Sequence, residues 1–335
     1  MQLQLRYVTA GLAVVVPNAL ALLRFSCSQL VVERLDPLVN PGVEGSPHLH
    51  QVVGGNAFRA SMSPSTIDIP ATATCTTCTF AEDFSNYWVM YFRARNGTFK
   101  RVPQKGNVNF ETANQGGLTV YYTPTISGSG KVTAFKPGFR MIVGNPANRD
   151  PNAVPRQLTY TCLETAMTRT GETKDFPKKP CKVGIMVNVR FPTCWDGTTL
   201  DPPDHASHVA YPSSGTFESG GPCPATHPVK IPQLFYEVVW DTTAFNNPAD
   251  WPADGSQPFV WSFGDATGYG NHGDYVFGWK GDALQKAMDS NCNINCPQLK
   301  SQSIQQGNQC SVKPTVNENI DGWLTELPGA MPITK

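Results

Sequence analysis

The sequence predicts a mainly β protein: an antiparallel β-sandwich or jelly-roll-like single domain with long disulfide-braced loops and one short C-terminal helix. Three observations predict it. Short apolar runs recur along the chain, separated by Gly, Pro, Asn and Ser, which is the pattern of strands joined by turns. Gly and Pro number 29 each and Cys 10, an even count that suits a disulfide framework around long loops. Only one segment carries an apolar stripe at helical spacing.

Taken in order, strands are expected over residues 88–92, 118–123, 138–143 and 157–163. Residues 183–190 form an apolar run of the kind found in a sheet core. Residues 234–241 give the strongest signal: alternation puts Leu234, Tyr236, Val238 and Trp240 on a core face and Glu237 and Asp241 on the other. Residues 275–279 place Tyr275, Phe277 and Trp279 on one face. The helix is expected over residues 282–290, with Ala283, Leu284, Ala287 and Met288 as its stripe. No shift in composition marks a boundary, so residues 22–335 are read as one β-rich domain.

Residues 1–21 read as a signal peptide. Arg6 precedes an apolar run over residues 10–16, and Ala19-Leu20-Ala21 has the small-x-small pattern of a cleavage site. The run is too short to span a bilayer core of about 30 Å, and no later segment is longer, so a secreted chain with no membrane contact after cleavage is expected. Asn96-Gly97-Thr98 is an N-glycosylation acceptor, which fits that compartment. Lys+Arg and Asp+Glu are 26 each, and this zero net charge argues against a nucleic-acid partner, which calls for a basic footprint. An oxidising compartment also favours disulfides over a cysteine zinc site. Cys162 with Cys181 and Cys194 with Cys223 are the pairs expected, while Cys75 and Cys78 pair either with each other or with distant partners.

Four constellations are candidates for chemistry. His48-Leu49-His50-Gln51 places two imidazoles on one strand face about 6.5–7 Å apart, close enough to address one metal or one substrate. Arg190, at the end of a strand, can grip an anionic or polyhydroxylated ligand or pair with Asp196, and the same stretch leads to His205, set beside two prolines as an exposed loop residue, and to His208. His227 sits in a rigid Pro-Cys-Pro segment. Glu237, among apolar neighbours, suits a general acid, but Asp241 four residues along lies about 13 Å away, too far for a glycosidase carboxyl pair. The glycine-rich stretch 261–275 carries Trp261 and Tyr269, which can stack on sugar rings, with His272 and Asp274.

Arg34-Leu35-Asp36-Pro37-Leu38-Val39-Asn40-Pro41-Gly42 followed by His48-Leu49-His50-Gln51-Val52-Val53-Gly54-Gly55 resembles the opening of a secreted fungal family, the domain of unknown function numbered nineteen ninety-six. Arg190-Phe191-Pro192, His208-Val209-Ala210-Tyr211-Pro212, Pro232-Gln233-Leu234-Phe235-Tyr236-Glu237 and residues 268–275 carry the same resemblance, which runs from about Cys27 to Trp279. Members often carry a C-terminal sugar-binding WSC module, for which this chain shows no counterpart. The fungal cell-wall context that the resemblance implies favours polysaccharide as the partner.

Two functions compete. The first is a glycan-cleaving hydrolase in which His48, His50, His208, His227 and His272 converge with Asp196, Glu237 and Asp274, either Glu237 or Asp274 being the general acid. Gln51, Arg190, Asp196, Trp261 and Tyr269 would hold substrate. Its variants are a lyase, with His50 or His208 as base and Arg190 neutralising a uronate, and a metalloenzyme with zinc or copper at His48 and His50 plus one further His. The second is a non-catalytic wall-binding glycoprotein using the aromatic face Tyr275, Phe277 and Trp279. Whether the five histidines meet in one place discriminates between them.

Overall fold

The structure is a computed structural model that describes residues 22–83, 86–88, 90–108, 110, 116–124, 131–169, 171–215, 221–290 and 292–335. The expected signal peptide lies outside the described residues. The strands are β1 Leu23–Glu33, β2 His50–Val53, β3 Asn86–Trp88, β4 Met90–Arg93, β5 Phe99–Arg101, β6 Gln104–Lys105, β7 Gly117–Thr123, β8 Arg140–Gly144 and β9 Leu158–Leu163. They continue with β10 Gly184–Arg190, β11 Cys194–Trp195, β12 Val209–Ala210, β13 Val229–Lys230, β14 Gln233–Trp240, β15 Phe259–Trp261, β16 His272–Val276 and β17 Trp323–Leu324. The fold is mostly β, and every strand pairing is antiparallel. The expected helix is Ala283–Met288, and two single helical turns, Ile69–Thr72 and Ile304–Gly307, accompany it.

Ten strands form one large sheet in the order β8-β16-β3-β2-β1-β7-β14-β10-β9, with β6 added on β14. The long strand β1, which the sequence reading did not anticipate, is its pivot. Residues 23–28 of β1 pair with β7 and residues 29–33 with β2, and the register shifts between Gln29 and Val31. Such an irregularity bends a strand and increases its twist, so the sheet divides into two layers that close on each other. Tyr122 from β7 and Tyr275 from β16 meet across the interior with hydroxyls 3.1 Å apart, and the ring of Phe191, just past β10, lies 6.4 Å from Tyr275. The layers approach so closely that a Cβ on Gly273 would sit 2.9 Å from a methyl of Val189.

Two expected strands were placed differently. Residues 88–92 divide between β3 in the large sheet and β4 in a four-stranded sheet with β15, β5 and β17, residue 89 lying outside the described residues. Residues 275–279 leave the sheet after Val276. Tyr275, Phe277 and Trp279 are all buried, and Trp279 donates to the Tyr122 hydroxyl at 3.0 Å. Burial of these rings adds the area that drives folding, so this face is core and is closed to sugar.

A second, smaller core lies on the outer side of the β2–β3–β16 layer. Leu35, Leu38, Phe58, Met62 and Ile69, all from the segment after β1, pack there on Val52 and Val276. All ten cysteines form disulfides: Cys162–Cys181 and Cys194–Cys223 as expected, with Cys27–Cys78, Cys75–Cys310 and Cys292–Cys296. Cys75 and Cys78 therefore each take a distant partner, and no thiol is left for zinc. No helix among the described residues is long and apolar enough to cross a membrane.

Candidate active site

Three histidines and two aspartates meet where the second core is interrupted by polar groups. Alternation along β16 turns Gly273 and Tyr275 to the interior and His272 and Asp274 outward. Val52, Asn86 and Asp274 are register partners across β2, β3 and β16, so His50, two residues before Val52, shares the face of Asp274. Asp36 arrives from the segment just after β1, its carboxylate accepting from the backbone N–H groups of Leu38 at 3.0 Å and Val39 at 2.8 Å. One ring nitrogen of His50 and one oxygen each of Asp36 and Asp274 lie within 4.8 Å of one another, and all three side chains are buried. His48 is half-buried at the edge of this group, its ring centroid 6.1 Å from that of His50, 5.6 Å from that of His272 and 5.0 Å from that of Phe263.

Backbone geometry fixes the ring of His272. Its partner in β8 is Gly144, whose φ is +86°, and a Cβ there would lie 2.3 Å from the Asn271 carbonyl and 2.7 Å from the His272 Cα. Only glycine allows that approach. The Nδ1 of His272 lies 2.6 Å from the Gly270 carbonyl, and the Nδ1 of His50 contacts the Leu35 carbonyl. A carbonyl oxygen only accepts, so both rings carry their proton on Nδ1 and present Nε2 with its lone pair.

Burial governs the charges. Asp274 is pushed well above the usual carboxylate range by burial and then by the charge of Asp36. Asp36 is raised by burial, against the backbone N–H bonds that lower it. His50 and His272 are pushed well below the usual imidazole value by burial, and His48 is lowered by burial to about 4. At neutral pH the cluster therefore holds neutral imidazoles beside two carboxyl groups that cannot both ionise without cost.

A groove of about 1090 Å³, lined among others by Asp68, Arg140, Leu200, Asp201 and Val276, meets the strand of the cluster at Val276, and none of the five cluster residues is among the described residues that line it. Val276 stands two residues along β16 from Asp274 on the same face, about 6.5–7 Å away by strand rise. Arg140 is buried in the groove wall, with Nε 3.7 Å from Asp201. The other oxygen of Asp201 contacts Nδ1 of His205, whose Nε2 lies 3.2 Å from the Leu38 carbonyl, and Asp201 raises the pKa of His205 above its ordinary value. His205 is half-buried rather than an exposed loop residue, and it joins the groove to the segment that holds Asp36.

The other candidates lie elsewhere. His208 is buried with its ring 4.9 Å from that of Phe139, and His227 accepts or donates at Thr226 and lies 3.0 Å from the Ser207 carbonyl. Gln51 follows His50 and so faces the other way, toward Gln29 and Gln104. Glu237 is buried as expected, but Arg169 engages one of its oxygens at 2.6 Å while Asn107 and Tyr121 engage the other. Arg190 pairs with Glu172 at 3.0 Å, not with Asp196, and lies over the Phe235 ring. Asp196 accepts from the backbone of Thr198 and Thr199 and closes its own turn. Trp261 is a core ring that donates to Tyr160 at 3.0 Å, so it is closed to sugar. Tyr269 lines a separate groove of about 590 Å³. The close donor trio joins His50 to Asp36 and Asp274, while His48, the other residue of the expected metal pair, has its ring centroid 6.1 Å from that of His50.

Asp36, Arg140 and Asp201 were not singled out from the sequence, and His205 was set aside there as an exposed loop residue. Asp36 lies inside the opening motif at residues 34–42, and Asp201 stands four residues before His205, a spacing that is the only sequence signal of their pairing. The chain belongs to the family described as a domain of unknown function, DUF1996, which matches residues 36–279 and so contains every residue of the cluster and most of the groove. No curated protein and no solved structure matches the chain.

Proposed function

We propose that this is a secreted fungal protein that cleaves cell-wall polysaccharide hydrolytically, with the sugar chain lying in the Arg140–Asp201 groove and the acid–base groups supplied by the His–Asp cluster beside it. The observation that carries this reading is the convergence of His48, His50 and His272 with Asp36 and Asp274, on a strand whose far end, Val276, lines an open groove. A carboxyl kept protonated by burial and a neutral imidazole are an acid and a base side by side. Half-buried His48 is the most solvent-accessible residue of the cluster, the other four being buried. Five disulfides support the extracellular compartment, and Asn96 is exposed, as a glycan acceptor must be.

A lyase acting on uronates has one specific observation in its favour. Arg190 is engaged by Glu172, but buried Arg140 lines the groove, where its Nε has only a 3.7 Å ion pair with Asp201 and no hydrogen bond among the described residues, a position suited to a sugar carboxylate. The test is release of sugar ends from a panel of fungal and plant glycans. Wild type is expected to release them, Asp274→Asn to lose at least about tenfold of the rate, and Glu237→Gln to keep it. Products absorbing as unsaturated uronates would assign the lyase. Binding of glycan with no release across the panel would overturn cleavage in favour of a wall-binding role.

A further inference from the structure

We propose that Asp36, His50 and Asp274 are the ligands of a divalent transition-metal cation, zinc in the first instance, bound with a fourth position open. The inference concerns the same cluster as the function above but stands on its own geometry: with the cation bound, Asp36, His50 and Asp274 would serve as ligands and the acid–base work would fall to a water in the open position with His48 or His272. The three donors come from three separate segments, the loop after β1, β2 and β16, and still lie within 4.8 Å of one another. Small side-chain rotations bring them to the edge of about 3.4 Å that a tetrahedral zinc site with bonds near 2.1 Å requires.

Charge points the same way. A cation that displaced the protons favoured by burial would meet two carboxylates in a buried site, and among the described residues neither Asp36 nor Asp274 forms an ion pair with Lys or Arg. A dication cancels that charge. Asp274 is only 5% exposed, and its Oδ1 has no hydrogen-bond partner among the described residues. A buried acceptor left without a donor is costly, and a metal bond removes the cost.

The surroundings resemble a prepared outer shell. Leu35 holds Nδ1 of His50 and so fixes the tautomer that can ligate, and the N–H groups of Leu38 and Val39 hold Asp36. One imidazole with two carboxylates is a donor set that first-row dications accept. Three protein ligands with an open position is the arrangement of catalytic rather than structural zinc, and half-buried His48 marks the side from which an ion and a water would enter. The other close trio, Cys27, Cys78 and Asp83, has both thiols tied in a disulfide.

The test uses the full secreted chain, stripped with EDTA and titrated with zinc alone by calorimetry, with bound metal counted by mass spectrometry and melting followed with and without zinc. One zinc per chain is expected, with a rise in Tm. Asp274→Asn and His50→Ala are each expected to weaken zinc at least about tenfold and to lose the rise, while His227→Ala keeps both. In EDTA, Asp274→Asn should melt at or above wild type, because it replaces one of two buried carboxyl groups that disfavour each other's ionisation with a neutral amide, and this separates lost binding from lost folding. Wild type that binds no zinc overturns the site, as does zinc bound by Asp36→Asn and Asp274→Asn as tightly as by wild type. One bound zinc with no glycan released supports the metal site and counts against glycan cleavage alone.

Discussion

His205 and His208 stand three residues apart and are perturbed in opposite directions. The Asp201 carboxylate raises His205, whereas burial lowers His208. The linkage signs follow. His205 contributes stability that is fully present below the unfolded imidazole value of about 6.5 and is lost as pH rises through its raised value. His208 contributes stability that is present above about 6.5 and is lost as pH falls through its lowered value. Proton NMR titration should find the two midpoints on either side of 6.5, and Asp201→Asn should bring the His205 midpoint down while leaving that of His208 nearly in place. Two midpoints on the same side would overturn the assignment of Asp201 as the partner. At this scale the sequence supplied residue types but not partners: Arg190 found Glu172, not Asp196, and Glu237 found Arg169.

β16 shows how an element makes a site. Its alternation sends Tyr275 into the sandwich and His272 and Asp274 to the other side, so one five-residue strand serves a core and a polar cluster together. β8 must lie close against it, and Gly144 is the point where any side chain would collide. Gly144→Ala is expected to cost about 2–4 kcal/mol, from left-handed backbone strain and the displacement of His272. A melt measuring Tm would check it, and a change of under about 1 kcal/mol would show that the strand shifts freely. The glycine-rich stretch was legible as a place of close backbone approach. The side that His272 faces was not, because it depends on where the strand begins, and alternation reverses every side chain on a one-residue change of phase.

For the whole molecule, the disulfides tie the segment after β1 to the rest of the fold. Cys75–Cys310 joins residues 235 apart in sequence. Chain-entropy reasoning gives such a closure about 5 kcal/mol at most, and measured bridges return about 2–5 kcal/mol. The Cys75→Ser/Cys310→Ser double variant is therefore expected to lose stability in that range by urea unfolding. Because Cys310 packs in the second core with Leu35 and Leu38, it should also weaken the hold on Asp36. Unchanged stability would mean that this segment is held by its apolar packing alone.

The sequence by itself determined the β class, the strongest strands, the one clear helix, the family, and two of the five disulfide pairs. The class, strands, helix and family follow from local periodicity, turn residues and motif identity, which are written in neighbouring positions, whereas the two disulfide pairs were expectations that spacing does not dictate. It also marked His48, His50, His272 and Asp274 as chemistry-bearing. Only the tertiary structure decided that these four meet, that Asp36 joins them while His208 and His227 do not, and that Trp261, Phe277 and Trp279 are core. The reason is physical. Which distant strands pair, and which face of each is buried, is set by burying apolar area across the whole chain, not by any window of it. The register shift of β1 between Gln29 and Val31, where its pairing passes from β7 to β2, is one such long-range feature that no local window of sequence shows.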